Sequence, residues 1–129
     1  MRPFLIIILI FSITVFSCKK EAGVGGTSSI TGKIYVKNYN ATGNLLQSEY
    51  YGPEERVYIM YGNHTIYDDW MRTNYDGFYQ FKYLFQGQYR IFAYSRCDTC
   101  QSGLDIVDAQ INISSNHQII EVPDLIIKK

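Results

Sequence analysis

Helical periodicity is what this 129-residue chain most conspicuously lacks: no segment repeats its apolar residues at the 3.6-residue spacing of an amphipathic helix. That excludes helical bundles and α/β layers and leaves strands to build the core. Histidine is nearly absent, with His64 and His117 alone, so a metal or acid–base centre would have few ligands. Neither charge sign dominates, since 12 Lys and Arg oppose 12 Asp and Glu and are scattered. Nucleic-acid binders gather basic residues on one face, so no nucleic-acid partner is expected. The longest apolar run, residues 4–16, is shorter than the roughly 20 residues of a membrane-spanning helix.

That run does suit the apolar region of a secretory leader. It follows Met1-Arg2-Pro3 and ends in Val15-Phe16-Ser17-Cys18, then Lys19-Lys20-Glu21. The Val-Phe-Ser-Cys stretch resembles the lipobox of bacterial lipoproteins. The resemblance implies cleavage before Cys18, acylation of its sulfur and new amino group, and a membrane partner through those acyl chains. The expected address is the cell envelope, at the outer membrane, because no Asp follows the cysteine. The organisation expected is residues 1–17 as signal peptide, 18–29 as lipidated cysteine and flexible Gly- and Ser-rich tether, and 30–129 as one domain. Loss of 17 of 129 residues leaves 112, enough for one core.

What is abundant is alternation. Residues 30–39 place Ile30, Gly32, Ile34 and Val36 on one side and Thr31, Lys33, Tyr35 and Lys37 on the other. One buried and one wet face is the mark of antiparallel sheet. Residues 56–61 put Val57, Ile59 and Tyr61 inward with Tyr58 and Met60 outward. Asn74-Tyr75-Asp76-Gly77 is a turn, followed by a hairpin in which Tyr79 and Phe81, then Tyr89, Ile91 and Ala93, share a face. Residues 104–113 and 118–128 complete the set, the latter interrupted by Pro123, which cannot donate to a ladder. The long connection 40–55 is expected to tuck Leu45, Leu46, Tyr50 and Tyr51 against the domain or to form a short edge strand. The fold class expected is all-β, an antiparallel two-sheet sandwich of about seven strands.

Thr73, Asp76, Gly77, Tyr79, Phe81, Leu84, Gly87, Tyr89 and Ile91 resemble the T-x-D-G-x-Y-x-F-x-x-L-x-x-G-x-Y-x-I core of carboxypeptidase regulatory-like domains. These are small transthyretin-like, immunoglobulin-like β-sandwiches. The likeness covers residues 30–127 and lies in turn and core positions, so it implies architecture and no chemistry.

Several candidate sites remain. Cys97 and Cys100 read as a disulfide or free thiols in a tight loop; a redox motif would open a helix and a structural zinc needs about four ligands. Asp68, Asp69, Asp76 and Asp98 are each read as turn carboxylates or, together, as a calcium site. A Lys33 or Lys37 crosslink to Asn112 lacks an evident buried acid. No cofactor and no catalysis are expected. The alternatives are a small hydrolase or redox protein using His64 or the cysteine pair, and a subunit of a larger assembly with an apolar edge at residues 118–127. Aromatic residues are in excess, 12 Tyr, 7 Phe and 1 Trp, and Tyr35, Tyr58, Trp70, Phe78 and Phe92 are the candidate surface for a protein or glycan partner. The competing reading is that such rings only stabilise the sheet in cross-strand pairs.

Overall fold

One strand, β1 (Val24–Tyr39), runs the length of the domain and takes partners on both sides. The computed structural model describes residues 21–129; the leader and Cys18 lie outside them. On one side, β5 (Phe78–Leu84) pairs antiparallel with the first half of β1 and β2 (Leu46–Tyr51) with the second. On the other side, β8 (Ile119–Glu121) and β9 (Leu125–Lys128) pair with it in parallel. The second sheet has the order β4-β3-β6-β7 and is antiparallel throughout, from β4 (Asp69–Arg72), β3 (Arg56–Tyr61), β6 (Gly87–Arg96) and β7 (Leu104–Ile113).

The two sheets enclose one main core. β1 contributes Ile30, Ile34 and Val36, β5 Tyr79, Phe81 and Leu84, β3 Val57 and Ile59, and β6 Tyr89, Ile91 and Ala93. Ile111, Ile113, Val122, Leu125 and Ile127 complete it. Most are the inward members of a period-2 alternation, while Leu84 is brought inward out of parity by the positive φ of 61° at Tyr83 and Val122 lies between strands; burying a large aliphatic side chain contributes roughly 1.5–3 kcal/mol. The chain is an all-β sandwich, as the alternation indicates. The strands number nine among the described residues rather than seven, because connection 40–55 contains edge strand β2, and Val122-Pro123-Asp124 splits the last ribbon into β8 and β9. The pairing is also mixed: the chain returns from the top of β7 across to the other sheet, so its last two strands run in the direction of β1.

The segment expected to be a flexible tether differs as well, since β1 begins at Val24. Both Val24 and Ser28 stand opposite Leu84, so Gly25-Gly26-Thr27 form a bulge. Gly26 passes so close to the Leu84 carbonyl that a β-carbon would collide with backbone, which is why a glycine run here serves a strand. Gly23, just before β1, is then fixed by Tyr89: the Gly23 N–H donates to its hydroxyl oxygen at 2.9 Å, and that hydroxyl donates to the Phe85 carbonyl at 2.7 Å.

The motif around Thr73 has a physical account. Buried Thr73 accepts the Glu55 N–H at 2.9 Å through Oγ1 and the Glu54 N–H at 3.0 Å through its carbonyl, joining the turn before β5 to the turn before β3. Asn74 Oδ1 accepts the Asp76 and Phe78 N–H groups, and Gly77 takes the positive φ of 75° that closes the turn. Tyr79 then lies over Gly32, where a β-carbon would overlap the phenol.

The Tyr79 hydroxyl is fully buried and finds no protein partner among the described residues. Burial first, and the Asp124 carboxylate second, hold its pKa well above the ordinary tyrosine range. The fold therefore favours the neutral phenol, while the unfolded phenol ionises near about pH 10, so this contribution is lost as pH rises above about 10. We predict that Tyr79→Phe leaves stability at pH 7 unchanged or raises it by up to about 1 kcal/mol, and makes the alkaline decline shallower. Gly32→Ala is expected to cost about 1–3 kcal/mol by overpacking. Chemical denaturation at pH 7 and at pH 10–11 checks both.

Candidate binding face

The outer surface of the β4-β3-β6-β7 sheet carries a continuous aromatic cluster. Register places Trp70 of β4 opposite Tyr58 of β3, and Tyr58 opposite Phe92 of β6, in one row that continues to Asp108 of β7. Tyr58 and Phe92 stack with ring centroids 5.0 Å apart and planes 14° from parallel. Tyr94, two residues along β6 and so on the same face, sets its edge against Tyr58 at 5.4 Å and Phe92 at 5.8 Å. Tyr67 folds back from the loop between β3 and β4 to within 4.8 Å of Tyr58. Such pairs contribute about 0.5–1.5 kcal/mol each beyond area burial, so the cluster is preorganised.

This geometry divides the candidate residues. Tyr58, Trp70 and Phe92 come together; Tyr35 and Phe78 lie on the other sheet, with Tyr35 edge-on to Tyr51 at 5.2 Å and Phe78 near Tyr75 in a shallow depression. Tyr58 and Phe92 face outward, as alternation demands, yet are only 8 % and 4 % exposed because Tyr67 and Tyr94 close over them. The accessible rings are Trp70, Tyr67 and Tyr94, flanked by exposed Ile66 and Ile106. Tyr94 was findable from its parity with Phe92; Tyr67 was not, because a loop conformation delivers it.

Polar groups frame the rings. The Arg56 guanidinium stacks 4.7 Å from the Trp70 ring centre. Arg90 Nε meets Asp108 Oδ2 at 2.6 Å beside Phe92. The arrangement offers flat apolar faces, phenolic tips and guanidinium donors.

The remaining candidates are dispersed. His64 Nδ1 contacts Asp68 Oδ1 at 2.7 Å at the Gly87 end of β6, and Asp68 also accepts the Tyr61 N–H. Cys97 and Cys100 are joined by a disulfide just beyond the opposite end of β6, with Asp98 held by Arg96 at 2.7 Å. Asp76 lies in the turn before β5. Among the described residues no three His, Cys, Asp or Glu side chains gather as a metal site. Arg96 closes that far end. Its Nη1 and Nη2 donate to the Asn40 and Ala41 carbonyls at 2.8 and 2.7 Å, so one side chain ties the β1–β2 loop to the disulfide loop.

No protein-family model matches the chain, and no curated protein matches it. Among solved structures, a candidate carbohydrate binding protein from Pseudomonas aeruginosa is similar over 84% of this chain and 92% of that chain, with 15% sequence identity and a TM-score of 0.49.

Arg96→Ala leaves two carbonyls without their charged donor and frees both loops. We expect a loss of about 1–3 kcal/mol, read by thermal or denaturant unfolding. Hydrogen exchange should rise in residues 40–45 and 97–103 before it rises in the sheets.

Proposed function

We propose that this chain is a non-catalytic binding module of the cell envelope, built on a carboxypeptidase regulatory-like sandwich and held to the outer membrane through acylated Cys18. The observation that carries the binding assignment is the aromatic face of β4-β3-β6-β7. Its accessible Trp70, Tyr67 and Tyr94 stand on a buried Tyr58–Phe92 stack and are bordered by Arg56 and Arg90. Such a rigid amphipathic platform suits a protein or glycan partner, since rings supply contact area at little entropic cost while hydroxyls and guanidinium groups supply hydrogen bonds. The reading without catalysis is supported by the separation of His64 and Asp68 from Asp98 and Cys100 at opposite ends of β6. The reading of an assembly subunit draws on β8 and β9, where Ile119 and Ile126 are exposed on the ribbon that flanks β1.

The test is quantitative binding by the full chain to panels of envelope glycans and to proteins crosslinked to it in its own membrane. Trp70→Ala with Tyr94→Ala is expected to weaken binding at least about tenfold, on the scale of two interface anchors at more than 1 kcal/mol each. The β-sheet spectrum should be unchanged, because both rings sit above the main core. Binding that survives this double substitution would remove the aromatic face from the proposal.

A further inference from the structure

Resting on the lipid anchoring proposed above, we infer that the sandwich stands on one particular end against its own bilayer. Gly23 is fixed in the fold by two hydrogen bonds: its N–H donates to the Tyr89 hydroxyl oxygen at 2.9 Å and its carbonyl accepts the Phe85 N–H at 2.8 Å, while neighbouring Ala22 packs on the core. Gly23 is five residues from Cys18. At about 3.3–3.6 Å per residue that length of chain reaches at most roughly 18 Å, little more than half the thickness of a bilayer's hydrocarbon core. A lipidated Cys18 sits at headgroup level, so the end of the sandwich containing Gly23 cannot leave the membrane surface.

Register identifies that end. Gly62 donates its N–H to the Gln88 carbonyl, and Ser28 donates to Ser115 and accepts the Gln118 N–H, so the β3–β4, β5–β6 and β7–β8 turns all surround the first residues of β1. A second observation points the same way. Among the described residues six large apolar side chains are at least 61% exposed; Tyr75 at 87% and Leu45 at 61% lie in the β4–β5 and β1–β2 loops away from this end, and the other four are Val24 at 61%, Tyr83 at 67%, Ile119 at 71% and Ile66 at 74%. By pairing, Val24 and Tyr83 lie beside Leu84, Ile119 is opposite Ser29, and Ile66 is in the β3–β4 loop, so all four belong to this end. Tyrosine suits the headgroup layer because its apolar ring and polar tip are both satisfied there, and aliphatic side chains gain by burial at the boundary between headgroups and acyl chains. The opposite end, with the disulfide and Arg96, is carried away by the ten residues of β6, about 33 Å at strand rise. The aromatic face then runs along the membrane normal, open to a partner approaching from the side.

The acylated full chain, purified from membranes and reconstituted into vesicles of phosphatidylethanolamine and phosphatidylglycerol, tests this directly. A fluorophore is placed on Asn63→Cys at the near end or Ala41→Cys at the far end, and quenched by a headgroup-nitroxide lipid. Several-fold stronger quenching at residue 63 than at residue 41 is expected, and a ten-residue Gly-Ser insertion between Lys20 and Glu21 should abolish most of the difference. Equal quenching at the two positions, or a difference unaffected by the insertion, would overturn the inference. Mass spectrometry of the N-terminal peptide separates the causes: an acylated Cys18 with equal quenching defeats the orientation alone, whereas an unacylated chain defeats the anchoring and the orientation with it.

Discussion

Everything in this sandwich is hung on the two-sided pairing of β1. A strand that bonds to neighbours along both edges and buries every second side chain has no freedom of register, because a one-residue slip would turn Ile30, Ile34 and Val36 outward and Lys33 and Lys37 inward. That constraint positions the Gly32–Tyr79 contact, and with it the turn held by Thr73. It also explains why the glycine run before Ser28 belongs to the fold. Only a residue without a β-carbon passes the Leu84 carbonyl at Gly26, and the bulge it makes lets Gly23 reach the Tyr89 hydroxyl.

The core was legible in the sequence because alternation is a local property that burial enforces directly: Val57 and Ile59, Tyr79 and Phe81, Tyr89 and Ile91 all point where their parity puts them. Direction was not legible. Nothing in Ile119 to Lys128 distinguishes a ribbon antiparallel to its neighbour from one parallel to it, since both bury alternate side chains and the choice depends on where β7 ends. The glycine run misled for a related reason, because composition reports flexibility of the free chain and not a close approach that only the folded neighbour reveals. The disulfide between Cys97 and Cys100 was readable as one of several outcomes for a closely spaced pair.

The aromatic face shows both limits at once. Tyr58, Trp70 and Phe92 fall on the same outer surface as their parity requires, yet parity says nothing about what lies on top. Tyr67 and Tyr94 turn two of these rings into a foundation and become, with Trp70, the accessible layer. A surface built in two tiers is stiffer than scattered exposed rings, and stiffness lowers the entropic cost of seating a partner.

The pairing of β9 with β1 carries a temporal consequence. Lys37 stands opposite Lys128 and its carbonyl accepts the Lys129 N–H, so one border of the first strand stays bare until residues 119–129 have been made. Contacts spanning such sequence distances make folding slow and hard to begin early. A nascent chain of this topology therefore closes its sandwich late, once the ribbon of residues 119–128 has emerged to cover β1.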